Sequence, residues 1–163
     1  LCGTRRQPES HCALVATVGG APQLLDPGYL VHEPLPLDPR LATSRGQIMV
    51  RPSILGSGCF DLFTYGVWRY RFALEPAATG RFGAVWDASF DWTMMSGLHL
   101  CAPSGAGYMY AHGTKLQQRG AESRTTENIR GREPEVLARC FGIAPRLVEE
   151  ALRLVAQDRP SHD

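Results

Sequence analysis

The sequence lacks most of the features that would assign a protein to a class at once. No transmembrane-length apolar run occurs, and the opening LCGTRRQPESH has no apolar signal-peptide core. The formal net charge is only +1, so no basic excess supports a nucleic-acid footprint. The five cysteines are scattered without a CxxC pair, which disfavours a zinc site or a disulfide framework and suits reduced, cytoplasmic thiols. The five histidines are too dispersed for a metal centre. GSG at Gly56–Gly58 lacks a phosphate-loop lysine, and neither it nor GAG at Gly105–Gly107 opens a clear helix, so both read as turns. Repeats and low-complexity blocks are also missing.

What is present is a globular composition, 44% hydrophobic over 163 residues, enough for a real core. Twelve prolines and seventeen glycines cut the first two thirds into short segments that suit strands and turns. Strands are expected near His11–Val18 and Gln23–Leu25 around a Gly19-Gly20 turn. Further strands are expected near Gln47–Val50, Leu62–Tyr65, Trp68–Leu74, Leu98–Cys101, Gly107–Tyr110 and Thr114–Gln117. The proline-studded EPLPLDP reads as a loop that cannot be an interior strand. Helices are expected over Glu133–Phe141, with Pro134 in the first turn and Gly142 as the stop, and over Pro145–Gln157. The second helix carries Leu147, Val148, Ala151, Leu152, Leu154 and Val155 at helical spacing, a core stripe. The expected division is a β-rich part over residues 1–128 and a helical part over 129–163 packed on it.

Chemistry enters at SHCALVATVGGAPQLLDPGYLVHEPLPL, Ser10 to Leu37. With a two-residue turn at Gly19-Gly20, position numbers across the hairpin sum to 39, so Asp26 lies opposite Ala13. His11 then shares a face with Asp26. Such diagonal neighbours sit about 7–8 Å apart at the backbone, a gap an imidazole and a carboxylate can bridge. An aspartate there fixes the imidazole tautomer, and a thiol on the other side would be held as thiolate. The plainer alternative is a histidine at a hairpin end and an aspartate that forms the turn before Pro-Gly.

The same stretch resembles the arylamine N-acetyltransferase family, whose papain- or transglutaminase-like triad is Cys-His-Asp. His11 opens the strand, Gly19-Gly20 turns it, Asp26-Pro27-Gly28-Tyr29 matches the family's D-x-G-aromatic motif, and Glu33-Pro34-Leu35-Pro36-Leu37 matches its proline-rich loop. Later, WRYRFALEP from Trp68 to Pro76, WTMMSGLHLCAPSGAGYMYAHGTKLQQRG, and Cys140-Phe141-Gly142-Ile143 follow in family order. Three departures stand out. Pro27 replaces the usual valine, Asp38 to Gly66 match poorly, and the N-terminal helical part with its R-G-G-x-C nucleophile has no counterpart here.

The resemblance implies an α+β fold, an antiparallel β-barrel or sheet of the cysteine-proteinase-like superfamily followed by C-terminal helices. It implies acyl transfer from a CoA thioester, most simply acetyl-CoA, to a small-molecule amine through an acyl-cysteine, without a metal. It makes His11 and Asp26 catalytic, sets Tyr29 beside the acceptor, and puts Thr93 and Ser96 near the coenzyme A cleft. Gly28 of the same motif and His32, in the loop after Asp26, are further candidates for the acceptor site, with a solvated loop residue the plainer reading of His32. The start at Leu1 and the missing motif place the nucleophile on an upstream segment or companion chain. The local alternatives are Cys2, on a polar segment, and Cys12, which alternation sends to the opposite face from His11. Three other outcomes stay open: an amide synthase that releases a polyketide chain, a thiol hydrolase with the same triad, and a non-catalytic partner subunit. Neither nucleic acid nor membrane is an expected partner.

Overall fold

The computed structural model describes residues 3–4, 11–92, 97–105 and 107–157, with Gly3, Thr4 and His32 described by their backbone alone. In chain order the elements are β1 (Gly3–Thr4), β2 (Leu14–Val18), β3 (Ala21–Asp26), a 3-10 turn (Pro27–Tyr29), β4 (Val31–Pro36), β5 (Thr43–Arg45), β6 (Ile48–Pro52), β7 (Cys59–Thr64), β8 (Val67–Ala73), α1 (Thr79–Ser89), β9 (His99–Ser104), β10 (Gly107–His112), β11 (Lys115–Arg119), β12 (Arg124–Asn128), α2 (Glu133–Phe141) and α3 (Pro145–Gln157). Both C-terminal helices have the bounds expected from the sequence. Pro134 stands in the first turn of α2, and Gly142 closes it in the left-handed region with its N–H on the Ala138 carbonyl.

The fold is α+β. Its strands form three antiparallel sheets, ordered β1-β8-β7-β6-β5, β2-β3-β4 and β12-β11-β10-β9. Of the antiparallel barrel or sheet that was expected, the described residues form sheets, and no closed barrel is found among them. The composition of the edge strands gives the physical reason. Closure needs a last strand able to donate to the first. β4 carries Pro34 and Pro36, which have no N–H, and β5 is only three residues long. The EPLPL segment is correspondingly not a loop throughout. It enters β4 and pairs Leu24 with Leu35 and Gln23 with Pro36, but only at the edge of its sheet, where proline is tolerated.

The chain divides into two compact units, Leu1–Ser89 and Phe90–Asp163. The first is built around Leu24, Val31, Leu35, Val50, Phe60, Leu62, Tyr70 and Phe72, which come from the three-stranded and five-stranded sheets. Each fully buried leucine of this set contributes roughly 1.5–3 kcal/mol. In the second unit Ala111 and Leu116 of the four-stranded sheet pack with Ile129, Val136, Leu137 and Val148, the last three from α2 and α3. The exposed helix α1 was not expected. It buries no side chain, so its sequence carries no apolar periodicity. Among the described residues no helix is long and apolar enough to cross a membrane.

The hairpin of β2 and β3 has the register that the two glycines dictate. Leu14 faces Leu25, Val15 faces Leu24 and Val18 faces Ala21. Gly19 and Gly20 have φ of 60° and 81°, the pair of positive values that a tight two-residue turn between twisted strands requires. Nothing lies within 4 Å of a Cβ added at either glycine. Backbone conformation, not space, therefore demands glycine there.

Candidate active site

Asp26 ends β3 and caps the 3-10 turn that follows, its Oδ1 accepting the Tyr29 N–H at 3.2 Å. Its residue is completely buried, 0% exposed. A buried carboxylate is costly unless its lone pairs are filled, and here three donors fill them. His11 Nε2 lies 2.7 Å from Oδ2, the Tyr70 hydroxyl from β8 donates to the same Oδ2, and the Tyr29 amide takes Oδ1. The His11 side chain keeps 20% of its surface exposed against 1% for Asp26. The dyad thus has one dry end and one end open to a reactant.

The imidazole is held on its sides as well. Tyr29 meets it edge to face, with centroids 4.9 Å apart and an interplanar angle of 77°, and Tyr70 lies 4.9 Å away, tilted. A Cβ on Gly28 would stand 3.0 Å from His11 Cε1 and 3.3 Å from Asp26 Oδ1, so any larger residue pushes on the dyad. With Nε2–H donating to Asp26, Nδ1 is the nitrogen left to take a proton from, or give one to, a reactant.

His11, Asp26, Gly28 and Tyr29 therefore meet in one place. The His32 side chain, Thr93 and Ser96 lie outside the described residues. Tyr70 is a site residue that the sequence does not single out, because an aromatic within the expected strand Trp68–Leu74 is most simply core. Its hydroxyl was the available signal, since a buried tyrosine needs a hydrogen-bond partner. Cys12, Cys59, Cys101 and Cys140 are free thiols, and none hydrogen-bonds His11 among the described residues. Desolvation pushes the Cys101 thiol up, away from thiolate.

A second polar cluster sits on the opposite face of the five-stranded sheet. Asp61 accepts from Trp68 Nε1 at 3.0 Å and from Arg71 Nε and Nη2 at 2.9 and 3.2 Å. Burial works to raise the Asp61 carboxyl. Hydrogen bonds from Arg71 and Trp68, the Arg71 charge and a hydrogen bond with Ser53 outweigh it and hold the group below the ordinary carboxylate range.

The fold is that of solved arylamine N-acetyltransferases. A Cys-to-Gln variant of the Mycobacterium smegmatis N-arylamine acetyltransferase matches with a TM-score of 0.74 and 17% identity, over 96% of this chain and 65% of that one. The arylamine N-acetyltransferase of Salmonella typhimurium matches with a TM-score of 0.68 and 16% identity, over 90% of this chain and 62% of that one. The chain thus spans less than two thirds of either protein. No protein-family model and no curated protein matches the sequence.

Proposed function

We propose that His11 and Asp26 are two members of a papain- or transglutaminase-like Cys-His-Asp triad that transfers an acyl group from a CoA thioester, most simply acetyl-CoA, to an amine in the cytoplasm. The single observation that carries this reading is a buried, triply satisfied carboxylate behind a half-open imidazole, in the fold of the arylamine N-acetyltransferases. A purely structural aspartate at a turn needs its capping bond to Tyr29, but it has no need of a partly exposed histidine on its other oxygen.

The nucleophile in this reading is a cysteine supplied from outside the present sequence, on a preceding segment or companion chain. His11 Nδ1 takes the thiol proton and Asp26 stabilises the imidazolium. The thiolate attacks the thioester carbonyl and the C–S bond to CoA breaks. CoA leaves with the proton from His11, and an acyl-cysteine remains. An amine acceptor beside Tyr29 then attacks the acyl carbon and gives its proton to His11, and the cysteine thiolate departs. Gly28 leaves room for the imidazole, and Tyr70 holds the carboxylate.

The test is covalent labelling. The protein, purified with whatever chain accompanies it, is exposed to acetyl-CoA and its mass is measured intact. One acetyl group per molecule, released by an aryl amine and missing in His11→Ala, is the expected result. Acetylation that survives His11→Ala, or none in the wild type, contradicts the proposal.

A further inference from the structure

Strand β8 contains one residue too many for its partner. Thr64 faces Val67 and Phe63 faces Trp68, but Leu62 faces Tyr70 and Asp61 faces Arg71. Arg69 is the unpaired residue of a β-bulge, a device that redirects side chains beside functional sites. Its effect can be read from the contacts. Trp68 and Arg71 share one face and both bond Asp61. Arg69 is instead turned to the face of Tyr70 and Phe72, where regular alternation would not have put it. There its Nε donates to the Thr64 hydroxyl at 2.5 Å, and its guanidinium carbon lies 5.9 Å from the centre of the Tyr29 ring, within cation–π range.

The electrostatics of this position are unusual for the unit. Arg45 and Arg71 each have a carboxylate partner, Arg40 and Arg51 stand exposed to solvent, and Arg69 is half-buried with no carboxylate pairing it among the described residues. A half-buried guanidinium that no described carboxylate neutralises, one aromatic ring away from the His11–Asp26 dyad, retains donors in the planar fork that matches a carboxylate.

We propose that Arg69 is a specificity-determining residue that selects an acceptor amine bearing a carboxylate, with the substrate's aromatic or aliphatic body against Tyr29 and its anionic group on the guanidinium. This rests on the acyl-transfer reading of the dyad. The phosphates of a CoA donor share the same anionic chemistry, and the test separates the two sources.

The experiment is equilibrium binding followed by NMR of the whole protein, without an acyl donor, so its outcome does not depend on turnover. The probes are 4-aminobenzoate and its neutral isostere 4-aminobenzamide. The wild type should bind the carboxylate roughly tenfold or more tightly than the amide, with shifts at Tyr29 and His11, and the preference should shrink in high salt. Arg69→Gln should bring the ratio close to one, and Arg69→Lys should keep part of it. CoA affinity should be the same in all three. Equal binding of the two probes by the wild type overturns the proposal, and so does a ratio that Arg69→Gln leaves intact. A loss confined to CoA binding also overturns it, since the anion would then belong to the donor. Because the wild-type ratio and its salt dependence are decisive alone, misfolding of a variant does not protect the claim. A carboxylate preference at Arg69 with no acetyl transfer would leave the specificity assignment standing and remove the catalytic one.

Discussion

The two units bury different kinds of groups. Among the described residues, those fully buried in Phe90–Asp163 are apolar, namely Ala111, Leu116, Ile129, Val136, Leu137 and Val148, and its His99–Tyr110 hydrogen bond is only half-buried. Leu1–Ser89 has an apolar core too, but it also buries Asp26, Asp61 and Thr64, at 0%, 3% and 6% exposure. Stability alone does not ask for buried carboxylates, because well-packed apolar residues serve as well or better. In the first unit each one is therefore surrounded by donors, and two of those environments bear on a site. Asp26 holds His11. Asp61, on β7, holds the two β8 residues, Trp68 and Arg71, that flank the bulge that redirects Arg69. The second unit reads as packing, the first as packing arranged around chemistry.

Substitutions in the two units should fail in different ways. The largest effect is expected for Asp26→Asn. It keeps the shape but offers amide hydrogens to a donor and loses the negative charge behind the imidazole. Acyl transfer should fall by roughly 10⁴-fold, measured as kcat, the scale seen when a triad aspartate is amidated. Leu137→Ala in α2 is the counterpart in the second unit. It should cost about 2–5 kcal/mol of unfolding free energy, read from denaturant titration, with the His11 ring resonances unmoved. If Leu137→Ala shifts those resonances as strongly as Asp26→Asn does, the contrast between the units is lost.

Tyr70→Phe sharpens the comparison within the first unit. It removes one of three donors to Asp26 and keeps the ring against His11. A hydrogen bond to a charged group is worth about 1.5–3 kcal/mol, so kcat should drop roughly 10- to 100-fold and the pH–rate profile should move. A drop in stability with an unchanged profile would make Tyr70 core only. The Asp61 cluster gives a pH prediction. Its carboxyl is held below the unfolded value of 3.8, so its contribution is complete above that pH and is lost as pH falls through the lower folded-state value. Asp61→Asn should flatten this acid limb in urea titrations below about pH 4 and leave the limb unchanged near neutrality. The smallest change is Gly28→Ala. Its Cβ presses on His11 Cε1 from 3.0 Å, so a modest rise in KM and fall in kcat is expected without global unfolding.

Much of the geometry was legible in the sequence because it is local. Two adjacent glycines set the β2–β3 register, and the register puts His11 and Asp26 on one face. Pro134 and Gly142 mark α2, and apolar periodicity marks α3. What escaped is tertiary or unpatterned. β12, Arg124–Asn128, is exposed at every position and has no alternation to read. Helix α1 buries nothing. The sheets stay open because the prolines of β4 and the brevity of β5 prevent closure, a consequence of edge chemistry rather than of strand propensity. Tyr70 and Arg69 look like one alternating run, WRYRF, and only the bulge opposite Leu62 and Phe63 reveals that both face the dyad.

The central claim is that the His11–Asp26 dyad handles the protons of an acyl transfer. Its most direct test is the rate of acetyl transfer from acetyl-CoA to an aryl amine, catalysed by the protein as purified with any accompanying chain, in the wild type and in His11→Ala. The account predicts turnover in the wild type and a fall of at least roughly 10³-fold in the variant, with a cooperative thermal unfolding transition retained at a lower midpoint, since Asp26 loses one of its donors. A wild type without turnover, or a variant that keeps it, would contradict the account.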